Sequence, residues 1–222
     1  MGELFYLSNI VECIKTCLKR RPGGKHWHLW GLMWSHLLVL FCFWGESSII
    51  FQFVERVYHW DVVFFSNMFT LTSLLPCFAG LVVPFVSNHL HLKDTTLCIV
   101  GHFSASFCLA IKGGFLDPLA FYLSKAFFIF WILIPIALRS LISKVSGANE
   151  ITLIFTAIAC IEASLPILSG YFYTATFGLT IETYPGLVYH IAAGLFMLPY
   201  VFILWLDLDM RKGEAQESES AK

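Results

Sequence analysis

The stretch WGLMWSHLLVLFCFWGESSIIFQ, residues 30–52, decides the fold of this chain, and Glu46 is its single charged residue. A helix rises about 1.5 Å per residue, so the stretch is long enough to cross a hydrocarbon core about 30 Å thick. Five more apolar stretches follow, at roughly 62–86, 95–112, 117–138, 151–175 and 185–206. Because lipid offers backbone groups no hydrogen-bond partners, spans of this length are helices. The sequence therefore predicts an all-α transmembrane bundle of six spans.

The basic residues lie almost entirely on one side of the predicted spans. The loops before spans one, three and five, together with the C-terminal tail, carry Lys15, Lys19, Arg20, Arg21, Lys25, Lys93, Arg139, Lys144, Arg211, Lys212 and Lys222. The opposite loops carry only Arg56 and, at a span edge, Lys112. Positive charge resists translocation, so we expect both termini to be cytoplasmic in a multi-pass protein of the plasma membrane or the endolysosomal membrane.

The composition argues against several classes of function. Hydrophobic residues make up 58% and charged residues 13% of the chain, against roughly 45–50% and 25% in soluble domains. The net charge of −1 gives no attraction to nucleic acid. No catalytic motif or phosphate-binding loop is present, so we expect neither an enzyme nor a cofactor. The histidine pairs at 26/28 and 89/91 lack further ligands, and no metal is assigned.

The chain divides by composition into three segments. Residues 1–25 form an amphipathic and then basic approach to the first span, which suits contact with anionic membrane lipids. Residues 26–208 form the membrane bundle. Residues 209–222 form an acidic, polar tail, which we expect to be disordered.

Ionisable residues inside the spans are candidates for function, because a charge in hydrocarbon costs several kcal/mol on most scales. Glu46 follows a glycine and precedes two serines, a small and polar patch that lets a neighbouring helix or a ligand approach closely. A protonatable carboxylate there suits proton coupling, and an aqueous vestibule near the outer face is the alternative. Three histidines within the spans are either packed side chains or proton relays: His36, His102 and His190.

Lys125 and Glu162 lie at similar estimated depths. Counting residues places Lys125 roughly 12 Å from the outer end of the fourth span. It places Glu162 roughly 17 Å from the inner end of the fifth span. The two spans are consecutive, so we expect them to be neighbours and the two residues to form an ion pair near the midplane. The alternatives are a purely structural pair and a Lys125 side chain that snorkels outward.

Several segments resemble solute carrier family 46, the proton-coupled folate transporter and its relatives in the major facilitator superfamily. The segment Arg139-Ser-Leu-Ile-Ser-Lys144 and the fifth-span segment Ala159-Cys-Ile-Glu-Ala-Ser-Leu165 are the more specific; Gly45-Glu46-x-Ser48-Ile49 and Leu92-x-Asp94-Thr95-Thr96 are weaker. The resemblance covers about residues 5–208 and concerns the C-terminal half of these twelve-span proteins. It implies that Glu46 and Lys125 face the central cavity and that Arg139 matches the arginine at the inner end of the family's fourth helix in this half.

One departure from the family pattern bears on the substrate. The folate-transporting members carry a histidine just before the glycine of the first span here, where this chain has Phe43 and Trp44. The resemblance therefore favours another organic anion over folate.

The resemblance implies a proton-coupled transporter of a small organic anion, working by alternating access, of which this chain is one half. Its partners are then the anion, the proton, membrane lipids and a missing N-terminal half of six helices. The alternative is a truncated membrane protein that does not transport and only binds a partner bundle. Glu46, Lys125, Glu162 and Arg139 are the candidate substrate-binding or coupling residues.

Overall fold

The computed structural model describes residues 7–21, 24–89 and 91–220, and these residues form helices joined by short turns. The helices are α1 (Leu7–Leu18), α2 (Lys25–Tyr58), α3 (Val62–His89), α4 (Asp94–Gly114), α5 (Pro118–Phe127), α6 (Leu133–Val145), α7 (Ile151–Glu162), α8 (Leu165–Thr180) and α9 (Leu187–Ser220). A 3-10 segment, Phe128–Ile132, joins α5 to α6. The prediction of an all-α fold is confirmed.

Six stretches of helix are long and apolar enough to cross a membrane, as predicted. The first three spans are α2, α3 and α4, and the sixth is α9. The fourth combines α5, the 3-10 segment and α6, and the fifth combines α7 and α8. With six spans the chain begins and ends at the same end of the bundle, here called the basic end because Lys19, Arg21, Lys144 and Arg211 lie there.

Proline explains the breaks in the fourth and fifth spans. Pro135 has no N–H for the carbonyl of Trp131, and the tighter 3-10 segment lies directly before that position. In the same way Pro166 cannot bond the carbonyl of Glu162, which is where α7 ends. Pro199 lies inside α9 without a break in the helix. Two of these three prolines therefore lie where a span changes its winding or is interrupted.

The first span occupies the centre of the bundle. α2 packs against α6, α8 and α9, while α4 packs against α5, α6 and α9. Leu29, Leu32, Ile49 and Phe53 of α2 are wholly buried in the resulting core. α3 lies at the edge, where it contacts the 3-10 segment and α2, and none of its most apolar stretch is buried.

The two chain ends join this bundle differently. α1 packs against α7, and the indole Nε1 of Trp30 donates to the carbonyl of Cys17 at 3.0 Å. α9 continues beyond the sixth span to Ser220, into the segment predicted as a tail. The division into three segments at 25 and 208 stays a prediction.

Candidate functional site

A cavity of about 300 Å³ lies between α2, α3 and the fourth span. Two of the four candidate residues line it, Glu46 from α2 and Lys125 from α5. The rest of the wall consists of four aromatic side chains together with Ser47, Ile50, Thr72, Ser73 and Pro76. The size and the largely apolar lining with a few polar groups are typical of small-molecule sites.

Glu46 forms an ion pair with a residue that the sequence placed at a span edge. The ammonium of Lys112 on α4 donates to Oε1 of Glu46, and the two residues are 2% and 7% exposed. The same ammonium lies 4.9 Å from the ring centre of Tyr189 and 5.3 Å from that of Phe121. Lys112 is therefore held by one carboxylate and two aromatic faces, and the charge of Glu46 is balanced inside the protein.

The small patch around Glu46 lets another helix approach, as the sequence predicts. A Cβ added to Gly45 would lie 2.2 Å from a ring carbon of Tyr173, so a larger residue cannot fit there. Tyr173 belongs to α8 and is wholly buried. Glycine at this position thus brings α2 and α8 together directly beside the acid.

Lys125 reaches the cavity without an acid partner. Its ammonium lies 5.2 Å from the ring centre of Phe69, 5.5 Å from that of Phe121 and 5.4 Å from that of Phe128. No ion pair of Lys125 occurs among the described residues. The cavity therefore has a cation that aromatic faces support and that forms no ion pair with a carboxylate of the described chain.

Three stacked rings form one wall beside this cation. The rings of Phe43 and Trp131 lie 4.6 Å apart at 19°, and those of Phe128 and Trp131 lie 5.5 Å apart at 7°. The indole Nε1 of Trp131 is buried and has no hydrogen-bond partner in the part of the chain that the structure describes. The wall suits a flat apolar body, and it holds one unused donor.

Glu162 lies away from this cavity, and the predicted Lys125–Glu162 pair is wrong. Oε1 of Glu162 lies 2.6 Å from Nε2 of His36 and 3.5 Å from Nη2 of Arg139. The prediction assumed that consecutive spans pack directly side by side. In the structure α6 and α7 both pack against α2, so Glu162 meets residues of α2 and α6.

A further set of polar contacts ties loops together at the basic end. Glu150 binds Lys19 at 2.5 Å and Arg21 at 2.7 Å. These hydrogen bonds from Lys19 and Arg21 hold the pKa of Glu150 below its ordinary value. Asp94 accepts from Lys144 and Ser140, and these bonds join α4 to α6.

Three other ionisable side chains inside the bundle lie within hydrogen-bond distance of structural partners. Nδ1–H of His102 donates to the carbonyl of Cys98 at 2.8 Å, and His190 lies within hydrogen-bond distance of the carbonyl of Gly186. Asp207 of α9 accepts from Thr95 of α4. Across the residues that the structure describes, no three histidine, cysteine or acidic side chains lie close enough to hold a metal ion.

Sequence reasoning missed Lys112 and the partner of Glu162. Lys112 stands two residues before the end of α4, and treating it as a buried residue of the span would have made it a candidate partner of Glu46. His36 lies three turns before Glu46 on the same helix, and no sequence signal ties it to Glu162.

Comparisons with known proteins point to one family. No protein-family model matches the chain. The probable peptidoglycan muropeptide transporter SLC46 of Drosophila melanogaster is 27% identical over 207 residues, which are 88% of this chain and 39% of that protein. The lysosomal proton-coupled steroid conjugate and bile acid symporter SLC46A3 of Mus musculus is 28% identical over 171 residues, covering 69% of this chain and 37% of that protein. Its Homo sapiens counterpart is 23% identical and covers 90% of this chain and 42% of that protein.

The resemblance to solute carrier family 46 is confirmed, because the curated homologues of this chain are members of it. The chain spans about two fifths of the length of these relatives. These relatives are named as transporters or symporters.

Proposed function

We propose that this chain forms half of a proton-coupled transporter for organic anions. The proposal starts from its curated relatives, which are transporters of solute carrier family 46. The observation that carries the proposal is the charge state of the cavity. Lys112 balances Glu46, and Lys125 is left without an acid partner among the described residues. A cavity lined by one unbalanced ammonium and a stacked aromatic wall suits an anion with an apolar body.

The chain alone supplies one wall of the site. Alternating access needs two bundles that rock about a site between them, and the cavity here lies among α2, α3 and the fourth span of a single bundle. We therefore propose a partner bundle of six helices, which corresponds to the part of the relatives that this chain does not cover. The partner bundle would close the side of the cavity that faces away from α2.

The four candidate residues take different parts in this proposal. Lys125 binds the anion, and Glu46 sets the local charge through Lys112. Glu162 and Arg139 lie together, away from the cavity, and serve coupling. The basic end faces the cytoplasm, in agreement with the excess of positive charge there. The membrane is endolysosomal or plasma membrane, the former being suggested by the lysosomal relatives.

The proposal is tested by uptake into proteoliposomes that contain the chain together with a supplied N-terminal half. The probe is a radiolabelled bile acid, chosen because the SLC46A3 relatives are named as symporters of steroid conjugates and bile acids. An inward proton gradient should drive uptake in the wild type. Lys125→Ala should reduce it at least about tenfold, as expected when about 1.4 kcal/mol of anion binding is lost, and Lys125→Arg should retain part of it. Lys15→Ala, which removes an exposed lysine of α1, is the matched control.

The second candidate function is association with a partner bundle without transport. The structure that favours it is the exposed apolar face of α3 at the edge of the bundle. Stable association with the N-terminal half, without uptake at any proton gradient, would favour this reading. Uptake that Lys125→Ala leaves unchanged would contradict the role given to the cavity.

A further inference from the structure

A second group of ionisable side chains lies outside the cavity, where three helices meet. His36 of α2 is wholly buried, and its Nε2 lies 2.6 Å from Oε1 of Glu162 at the end of α7. Nη2 of Arg139 on α6 lies 3.5 Å from the same oxygen. A single carboxylate oxygen thus faces two basic groups that come from different helices.

The backbone explains why an acid at this position needs basic partners. Glu162 is the last residue of α7, where the unpaired carbonyls give a helix a partial negative charge. Pro166 prevents one further bond there, and α8 begins only at Leu165. A carboxylate at such an end is stabilised by a nearby cation, and Arg139 supplies one.

The other elements around the cluster add no charge to it. α1 packs against α7, but its charged residues Glu12 and Lys15 are exposed and are paired with none of the three. α8 carries no acidic or basic residue. Further along α2, Glu46 is paired with Lys112. The charge of the cluster is therefore set by His36, Glu162 and Arg139.

One added proton changes the net charge of this cluster. When neutral His36 donates its Nε2–H to Glu162, its Nδ1 carries a lone pair, and this Nδ1 is buried without a partner among the described residues. Arg139 and Glu162 then cancel, and the cluster is neutral. A proton added at Nδ1 makes an imidazolium, so two cations compete for one carboxylate in a place poor in water. Arg139 is the cation that can leave, because its side chain is already 56% exposed.

We propose that His36 and Glu162 form a proton-binding site, and that its protonation releases Arg139 from α7. The inference deepens the proposed function and rests on it for the part that the proton plays in transport. Protonation exchanges the Arg139–Glu162 pair for an imidazolium–carboxylate pair, which frees the end of α6 from α7. Proton binding and exposure of a guanidinium are thereby coupled through one oxygen atom.

Hydrogen exchange measured by mass spectrometry on the full chain in phosphatidylcholine nanodiscs tests this without a transport substrate. Samples are compared between about pH 8 and pH 5, the range in which histidine titrates, with labelling times scaled to the intrinsic pH dependence of exchange. In the wild type the end of α6 and the turn before α7, residues 139–150, should exchange about threefold faster at the lower pH, the effect expected for loss of one partly exposed ion pair.

Variants distinguish protonation of this site from a general loss of helix packing at low pH. His36→Gln keeps a donor for Glu162 and cannot take up a proton, so it should show slow exchange at both pH values. Glu162→Gln should show fast exchange at both. His102→Gln is the matched control, because His102 is equally buried but donates to a backbone carbonyl, and it should keep the wild-type response.

The outcomes bear on the two proposals separately. A pH response that persists in His36→Gln, or that is lost equally in His102→Gln, overturns the proton site. Absence of any response in the wild type overturns it as well. A response that follows the expected pattern, together with no proton-driven uptake by the reconstituted protein, supports the site and contradicts the proposed transport.

Discussion

Removal of the carboxylate of Glu46 should destabilise the bundle by leaving Lys112 buried without a counter-ion. Lys112 is 2% exposed, and its ammonium donates to Glu46 and to no other acid among the described residues. Breaking a buried ion pair by removal of one partner costs about 3–5 kcal/mol. The rings of Phe121 and Tyr189 remain beside the ammonium and offset about 1 kcal/mol of this. We expect Glu46→Gln to lower the free energy of unfolding by about 3 kcal/mol.

The assay is thermal unfolding of the purified chain in detergent, followed by tryptophan fluorescence. For a chain of this size about 3 kcal/mol corresponds to a fall in Tm of about 6–12 °C. Lys112→Met should cause a similar fall, because it leaves the carboxylate of Glu46 buried without its ion-pair partner. Lys125→Met, which removes a lysine without an ion pair among the described residues, is the matched control and should lower Tm less.

The double variant Glu46→Gln/Lys112→Met decides whether the two residues act as a pair. Residues in direct contact are not additive, so the double variant should be more stable than the sum of the single losses predicts. Losses that add within error, or a fall below about 2 °C in both single variants, would refute the reasoning, since neither charge would then depend on the other.

Two other predictions concern helix contacts and pH. Gly186→Ala should destabilise the chain by about 1–3 kcal/mol in the same assay, because the new Cβ would lie 2.0 Å from the carbonyl oxygen of Gly113. Gly178→Ala is the control and should not destabilise the chain, because no atom lies within 4 Å of the new Cβ. The pKa of Glu150 is lowered by its bonds to Lys19 and Arg21, so ionised Glu150 stabilises the attachment of the N-terminal segment. This stabilisation is complete above pH 4.5, the ordinary pKa of the group, and is lost as the pH falls through the lowered pKa. Proteolysis near Lys19 should increase across that acid range in the wild type, and in Glu150→Gln it should be raised at every pH.

The six spans could be predicted from the sequence because hydropathy and length are properties of each segment alone. The close approach at Gly45 could be predicted for the same reason, since a missing side chain leaves room whatever the neighbour is. The presence of Glu46 and Lys125 in one cavity came from the resemblance to the family, because it depends on how separate helices are arranged.

The partners of the charged residues could not be predicted in this way. Counting along straight helices placed Lys125 and Glu162 at one depth in the membrane. Neither span is one continuous α-helix, because a 3-10 segment interrupts the fourth and α7 ends at Glu162 in the fifth. The lateral order of helices is set by packing across the whole bundle, and α2 contacts both the fourth and the fifth span. A count of residues gives height in the membrane and carries no information on lateral position.

The Glu46–Lys112 pair also has a consequence for biogenesis. The acid belongs to the first span and the lysine to the third, so the two are synthesised at different times and enter the membrane separately. A charge at the centre of an inserting helix costs about 2.5–3.5 kcal/mol on insertion scales. Lys112 lies two residues before the end of α4, where a charge costs less, but α4 also has the lowest mean hydropathy among the six described spans. Pairing leaves neither span with an uncompensated charge, so the ion pair also favours retention of α4 in the bilayer beside the first span.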